Sequence, residues 1–223
     1  MLPGFDVQRC DDHVLVRFAG PRRVLSSAVL GGGWGEASGV VIMRVEENFE
    51  GERCEFDPPD VTVAGYAKSL DLGGAVVGMM TSASMDSCRT VTQQVDGVSV
   101  GVLVTAGLSN ARCAGDEAEI RRIGACGPPG GTINTVVATS AVLDPAAMTE
   151  CVMMATEAKT EALRRLGVRS DAGDRPATGT GTDSICVVSG DGPPPVTYCG
   201  KHTVFGEVLA NCVIEALVDS LGE

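Results

Sequence analysis

Aromatic residues are nearly missing from this sequence: five Phe, two Tyr and one Trp make up 4% of its 223 residues. A core must therefore be built from Val, Leu, Ala, Met and Cys, and at 44% hydrophobic the chain has enough of them for one domain spanning 1–223. Lysine is as scarce, present only at Lys68, Lys159 and Lys201 against fourteen Arg. A formal net charge of −12 provides no basic surface, which excludes free nucleic acid as a partner and leaves a weak attraction for cationic ligands. Cysteine pairs at metal or redox spacing are lacking: the nine Cys are odd in number, scattered and without any Cys-x-x-Cys. They read as reduced thiols serving as small hydrophobes, not as disulfides or a zinc site. No apolar run approaches the roughly 20 residues needed to span a bilayer. No leader segment is read at the start either, so a cytoplasmic protein with no membrane partner is expected. Two His and scattered carboxylates form no ligand signature, so no cofactor is predicted and an enzyme metal stays open.

What is present is an interleaving of strands and helices. HVLVRF at 13–18 alternates, with Val14, Val16 and Phe18 toward a core and His13 and Arg17 on the other, solvent side. Two apolar runs flank Gly31-Gly32-Gly33, giving strand, glycine loop, strand. A charged loop at 50–60 precedes a helix from Val61 to Leu70. Strands follow at 75–83 and 98–108, with a strand or turn at 88–97 between them, a rigid GPPGGT turn at 127–132 and a β-branched strand over 133–143. Asp144-Pro145 opens the clearest helix, Asp144 as its cap, which runs to about Leu166 and stops at Gly167. A polar Gly/Thr loop, the strand SICVVS, the turn GDGPPP and a helix from about Thr203 to Leu221 complete the chain. Spacing in the first two thirds suits antiparallel strands. The class is α+β or mixed α/β, a sheet covered by helices.

Several junctions carry chemistry. On the 145–166 helix, Met148, Val152, Ala155, Ala162 and Leu166 fall on one line at 100° per residue, and Lys159 falls in the middle of it. A lysine there must snorkel, pair with an anion or shed its proton. Glu157 points to the opposite side, as a solvated or second-interface residue. Thr178, Thr180 and Thr182 alternate with glycine just before Asp183, so hydroxyls and bare N–H groups are offered together to an anion, an amide or an oxyanion. Lys201-His202 leads into the last helix, whose positive end favours the neutral imidazole that a general base needs, with Glu207 one turn on. Ser109 and Asn110 follow a strand, Thr132 and Asn134 stand at a strand entrance, and Ser26-Ser27 precede the glycine run.

TAGLSNA, GTIN, TEAKT, ATGTGTD and YCGKHT...GE, in this order, resemble the adenosylcobinamide amidohydrolase family, with VLSSAVLGGG and VVGMMTSA supporting the match. The resemblance implies hydrolysis of the amide joining a corrin side chain to aminopropanol, giving adenosylcobyric acid in cobalamin salvage. It implies a corrinoid substrate whose cobalt is not an enzyme metal. Thr132 to Leu143 is also similar to the nucleophile strand of the DmpA-type aminopeptidases and ornithine acetyltransferases, which implies αββα layering, with Ser140 where those families carry Asp.

Two mechanisms follow. In one, Thr132 attacks the carbonyl and Lys159 or His202 takes its proton. In the other, which the lack of a free amine at Thr132 favours, His202 or Asp183 activates water while the Gly/Thr loop holds the oxyanion. Ser109, Asn110, Asn134, Thr178, Thr180, Thr182, Lys201 and Glu207 are expected to bind substrate. Rival readings are a corrinoid-binding protein without turnover and a self-processing acyltransferase or peptidase. The site is expected to gather Asn110, Thr132, Asp183 and His202 in one cleft.

Overall fold

Runs of Val and Leu buried on both sides, as over Val98–Ala106 and Ile133–Thr139, build a sheet covered on its outer faces. The computed structural model describes residues 4–45, 58–118, 120 and 131–222. In chain order its elements are β1 (Phe5–Arg9), β2 (His13–Ser26), β3 (Gly33–Arg44), α1 (Pro59–Ser69), β4 (Val76–Thr81), β5 (Arg89–Val95), β6 (Val98–Ala106), β7 (Ala111–Arg112), β8 (Ile133–Thr139), β9 (Ala141–Leu143), α2 (Pro145–Arg165), β10 (Gly179–Thr180), β11 (Ser184–Val188), β12 (Gly192–Val196) and α3 (Val204–Leu221). Most of the loop expected at 50–60, positions 127–130 of the GPPGGT turn, Cys54 and Cys126 lie outside the described residues.

Eight strands form one sheet in the order β4-β3-β2-β11-β8-β6-β5, with β1 on β2. Hairpin neighbours are antiparallel, as the spacing predicts, but β3–β4 and β8–β11 are parallel. Each parallel pair is joined through a helix, α1 or α2, because a tight turn cannot return the chain in the same direction.

The sheet doubles back on itself. β2 and β3 are long enough to serve both halves, and their register shifts between Arg17 and Arg22. Val14, Val16, Val40, Ile42, Val77 and Met79 from one half pack against Leu103, Val136, Cys186 and Val188 from the other. Across this inner layer the Asn134 side-chain amide donates to the Met80 carbonyl at 3.0 Å, although β8 and β4 are far apart in strand order. Outside, α1 buries Val63 and Ala67 on Leu15 and Val41. On the other side α2 and α3 cover Val100, Val102, Val137 and Val187. The architecture is mixed α/β in four layers, α–β–β–α, as expected.

Three local expectations are corrected. The outer face of β2 lies under α1, not solvent, so Leu15 is fully buried and His13 is 6% exposed. The 133–143 strand breaks at Ser140, whose N–H donates to the Ser99 carbonyl at 3.0 Å and whose hydroxyl accepts from the Ser99 N–H at 2.9 Å. Beyond the break, β9 pairs in parallel with β12, which contains the proline run read as a turn. That pairing registers only at Gly192 and Val196, so the prolines between them need no N–H. The helix ends agree: the Asp144 carboxylate accepts from Ala147 N–H at 2.8 Å, and Gly167 follows at φ +67°.

The seven described cysteines are free. Burial pushes the Cys186 thiol up to about 12 and the Cys212 thiol up to about 11, which keeps both unreactive. Among the described residues no helix is long and apolar enough to cross a membrane.

One ionic clamp fixes the loop ahead of β10. Asp116 accepts from Ser170 Oγ at 2.5 Å and from Cys113 N–H at 2.7 Å, and pairs with the Arg175 guanidinium. The Ser170 hydroxyl first, then the Cys113 amide and Arg175, hold this carboxyl at about 2, below its usual 3.8. A depressed folded-state value means that the stabilisation is whole above about 3.8 and fades as pH falls through about 2. The thermal midpoint of Asp116→Asn is therefore expected below wild type at pH 6, with the gap shrinking steadily from pH 5 toward pH 2.5; a gap independent of pH would contradict the clamp.

Candidate active site

Because β8 and β11 are parallel neighbours, their N-terminal ends share one edge of the sheet, and the segments leading into them meet there. The Gly/Thr loop is anchored first. β10 pairs with β7, Thr178 N–H donates to Arg112 O at 2.8 Å, the Thr178 hydroxyl accepts from Ala114 N–H at 2.9 Å, and Thr160 Oγ1 donates to Thr178 O at 3.1 Å. This fixes Asp183 at the head of β11.

The Asp183 carboxylate gathers four donors. Oδ1 accepts from Thr180 Oγ1 at 2.5 Å and from Ile133 N–H at 3.2 Å. Oδ2 accepts from Thr180 N–H at 3.1 Å and from the Lys159 ammonium. The Lys159 and Asp183 side chains are only 14% and 16% exposed. The packed line of α2 runs through Met148, Cys151, Ala155, Ala158 and Ala162, with Lys159 at its border. Of the three fates open to a lysine there, pairing with an anion is the one realised. A β-carbon at Gly179 would lie 2.7 Å from Lys159 Nζ and nearer still to Asp183, and one at Gly181 would lie 2.5 Å from the Asn110 amide. The alternation of Gly with Thr thus has a steric cause.

A hydroxyl pair adjoins this ion pair. Thr132 Oγ1 lies 2.6 Å from Thr182 Oγ1, and Thr182 Oγ1 lies 3.4 Å from the Gly131 carbonyl. Gly131 N–H donates to Ser109 Oγ at 2.9 Å, and Gly107 N–H donates to Thr132 O at 3.1 Å. Asn110 is used locally: its carbonyl accepts from Gly181 N–H at 3.0 Å and its side-chain oxygen from Arg112 Nε at 3.2 Å. Asn134 is fully buried in the inner layer, and its Oδ1 has no partner.

Beside the ion pair opens a cavity of about 250 Å³, lined by Ser27, Ile133, Thr135, Val152, Ala155, Thr156, Lys159, Asp183, Ser184 and Ile185. Sequence reasoning flagged Ser27 but missed Thr135, Thr156 and Ser184. Thr156 lies three residues before Lys159 on the same helix face, a spacing that could have found it.

His202, Lys201 and Glu207 stand apart. Lys201 pairs with Glu157, two residues before Lys159 and so about 200° around the helix from it. Cys199 N–H donates to Glu150 Oε2 at 2.6 Å, which lays this segment along the same far side of α2. His202 is exposed, with the Tyr198 ring 6.2 Å away, and Glu207 is exposed in the first turn of α3. Of the four residues expected in one cleft, Asp183 lines the cavity, Thr132 lies buried one residue before the lining Ile133, Asn110 sits behind Gly181, and His202 stands apart. A different cluster could hold a metal: Cys10, Asp12 and His13 offer ligand atoms within 4.8 Å of one another. Tyr66 of α1 touches Asp12 at 2.7 Å and His13 at 2.9 Å, which places this group in the α1 layer.

The profile of the adenosylcobinamide amidohydrolase family matches residues 2–223. A Halobacterium salinarum protein named adenosylcobinamide amidohydrolase is 35% identical over 128 residues, 55% of this chain and 50% of that protein. A Methanosarcina mazei protein of the same name is 27% identical over 173 residues, 73% of this chain and 75% of that protein. An uncharacterized protein of Methanocaldococcus jannaschii is 36% identical over 157 residues, 64% of this chain and 61% of its own length. The chain thus matches only about half to two thirds of the Halobacterium and Methanocaldococcus relatives. Among solved structures, a Burkholderia sp. beta-aminopeptidase is similar with a TM-score of 0.52 at 14% identity, over 99% of this chain and 83% of that one, a likeness of fold.

Removing one member of the Lys159–Asp183 pair leaves the other charge buried. Lys159→Met is expected to cost about 2–4 kcal/mol in denaturant unfolding, moderated by the donors that Asp183 keeps. The double change Lys159→Met with Asp183→Asn should recover part of that loss. A single variant as stable as wild type would show that the pair contributes nothing to the fold.

Proposed function

Because the chain belongs to the adenosylcobinamide amidohydrolase family, we propose that it hydrolyses the aminopropanol amide of adenosylcobinamide, releasing aminopropanol and adenosylcobyric acid in cobalamin salvage. The observation that carries this reading is the junction of a hydroxyl pair with a largely shielded ammonium: Thr132–Thr182, the first buried and the second open to solvent, beside Lys159–Asp183. Amide hydrolysis needs a nucleophile and a fixed positive group for the oxygen that gains charge, and these are the two groups that the junction offers.

The geometry favours Thr132 as the nucleophile over water activated by His202, because His202 lies on the far side of α2. Asp183 makes a poor base, since its oxygens already accept four hydrogen bonds. Its role is to hold the Lys159 side chain in place. In the proposed step Thr132 Oγ1 bonds to the amide carbon, and its proton passes through Thr182 Oγ1 to the amide nitrogen. The carbon–nitrogen bond breaks, aminopropanol leaves, and water then cleaves the ester on Thr132 to give the acid. The Lys159 ammonium faces the oxygen that carries the negative charge.

A second reading rests on the Gly131–Thr132 peptide, whose carbonyl meets Thr182, the same hydroxyl that meets Thr132, while the Gly131 N–H just before it donates to Ser109. Cleavage of that peptide would free the Thr132 amine to act as the base. The intact mass of the purified protein separates the two, a single full-length mass supporting the first and two fragments splitting at Gly131–Thr132 the second.

Incubation with adenosylcobinamide, without added nucleotide, should yield the mass of adenosylcobyric acid. A folded protein that binds the corrinoid and leaves its mass unchanged would reduce the molecule to a binding protein. Thr132→Ala is expected to lower turnover by about 100-fold or more with the fold retained, whereas His202→Ala should stay within about threefold, less than about 1 kcal/mol of barrier. The reverse ranking would restore the water-activation mechanism.

A further inference from the structure

The cavity is small for the substrate proposed above. At about 250 Å³ it lies below the roughly 300–1,000 Å³ of ordinary ligand sites. It can admit an amide arm but not a corrin ring with its peripheral amides, so the macrocycle must rest outside, on whatever surface continues from the mouth.

The sheet itself continues there. Val187 of β11 pairs with Leu25 of β2, and Leu25 pairs with Trp34 of β3. Paired residues on adjacent strands share a face. Leu25, Ile185 and Val187 all belong to the face turned toward α2, so Trp34 lies on that face too. α2 and α3 pack over β5, β6, β9 and β11, and Trp34 is left 48% exposed. Ser27, across from Ile185, joins this row to the cavity wall. With about 5 Å between strands and 3.3 Å per residue, Trp34 Cα lies roughly 12 Å from Ile185 Cα, within reach of one ring system anchored in the cavity. A chain with eight aromatic residues thus places its single Trp on the exposed shelf beside its polar cavity.

We propose that this shelf, headed by Trp34, seats the planar macrocycle of the substrate while its amide arm enters the cavity beside Lys159 and Asp183. The proposal rests on the amide-hydrolase reading. Trp34 then contributes to substrate affinity and takes no part in bond breaking. A wide indole face stacked on a flat conjugated ring is the contact that an aromatic residue makes best with such a partner.

The test uses the full chain with adenosylcobinamide, measuring affinity by equilibrium dialysis read from corrinoid absorbance and turnover by product mass. Trp34→Ala is expected to raise Kd and KM by about tenfold or more, the scale of losing one stacked aromatic contact, with kcat within about threefold. Trp34→Phe should restore most of the affinity. Being exposed, Trp34 can be replaced without opening the core, and an unchanged thermal midpoint checks this. If wild type binds and hydrolyses the corrinoid while Trp34→Ala keeps its Kd and KM within twofold, the seat is overturned and the hydrolase reading stands. If wild type neither binds nor hydrolyses it, both fall. A loss confined to kcat would also overturn the seat, since it would place Trp34 at the reacting atoms.

Discussion

A single carboxylate joins three parts of this molecule. Asp183 receives the Lys159 ammonium from α2, the backbone and hydroxyl of Thr180 from the Gly/Thr loop, and the Ile133 amide from the head of β8. With both side chains largely shielded from water, none of these donors has solvent as a ready substitute. The pair is weak as a source of net stability, because desolvating both charges offsets most of their attraction. Its effect is to allow one arrangement only. α2 must sit at the height where Lys159 reaches β11, and the loop lies so close that a β-carbon at 179 or 181 would press on the Lys159, Asp183 and Asn110 side chains.

The four-layer fold makes that meeting possible. Parallel pairing of β8 with β11 brings two segments about fifty residues apart to the same edge, where a hairpin would have set their starts at opposite ends. The long β2–β3 hairpin carries the sheet around the inner layer and extends its own free end past the cavity. The Lys159–Asp183 pair, the cavity and the exposed tryptophan thus lie at one end of one sheet, the pair held by α2 and the anchored Gly/Thr loop and Trp34 by strand register. Rigid placement of this kind holds reacting groups within the narrow geometric limits that catalysis requires.

The chemistry at that edge has an unusual balance. Hydroxyls outnumber titratable bases, and the one carboxylate is saturated by donors. In the proposed reaction such a site would stabilise charge through fixed dipoles and an ammonium, with little dependence on a tuned base. The acidic exterior, at net −12, does not alter this, since surface charges are screened within about 10 Å at ordinary salt.

The sequence by itself determined the local elements and the types of residue at the site. Asp144-Pro145, Gly167 and Thr203 mark helix ends through bonds made within one turn, so they are legible without a fold. The Gly/Thr run before Asp183 and the lysine on an apolar helix line were visible for the same reason: each departs from a local pattern. Tertiary structure decided what no local pattern carries. His13 was assigned to solvent because alternation marks two faces of a strand but cannot tell that α1 covers the second. The proline run became β12 because a partner strand, β9, stood where only its ends needed pairing. His202 and Asp183 were equally plausible members of one site until the packing of α2 put them on opposite sides of a helix, a separation fixed by which face of α2 meets the sheet. The partner of Lys159, the depth of Asn134 and the position of Trp34 beside the cavity likewise follow from strand order, which depends on contacts between residues distant in the chain.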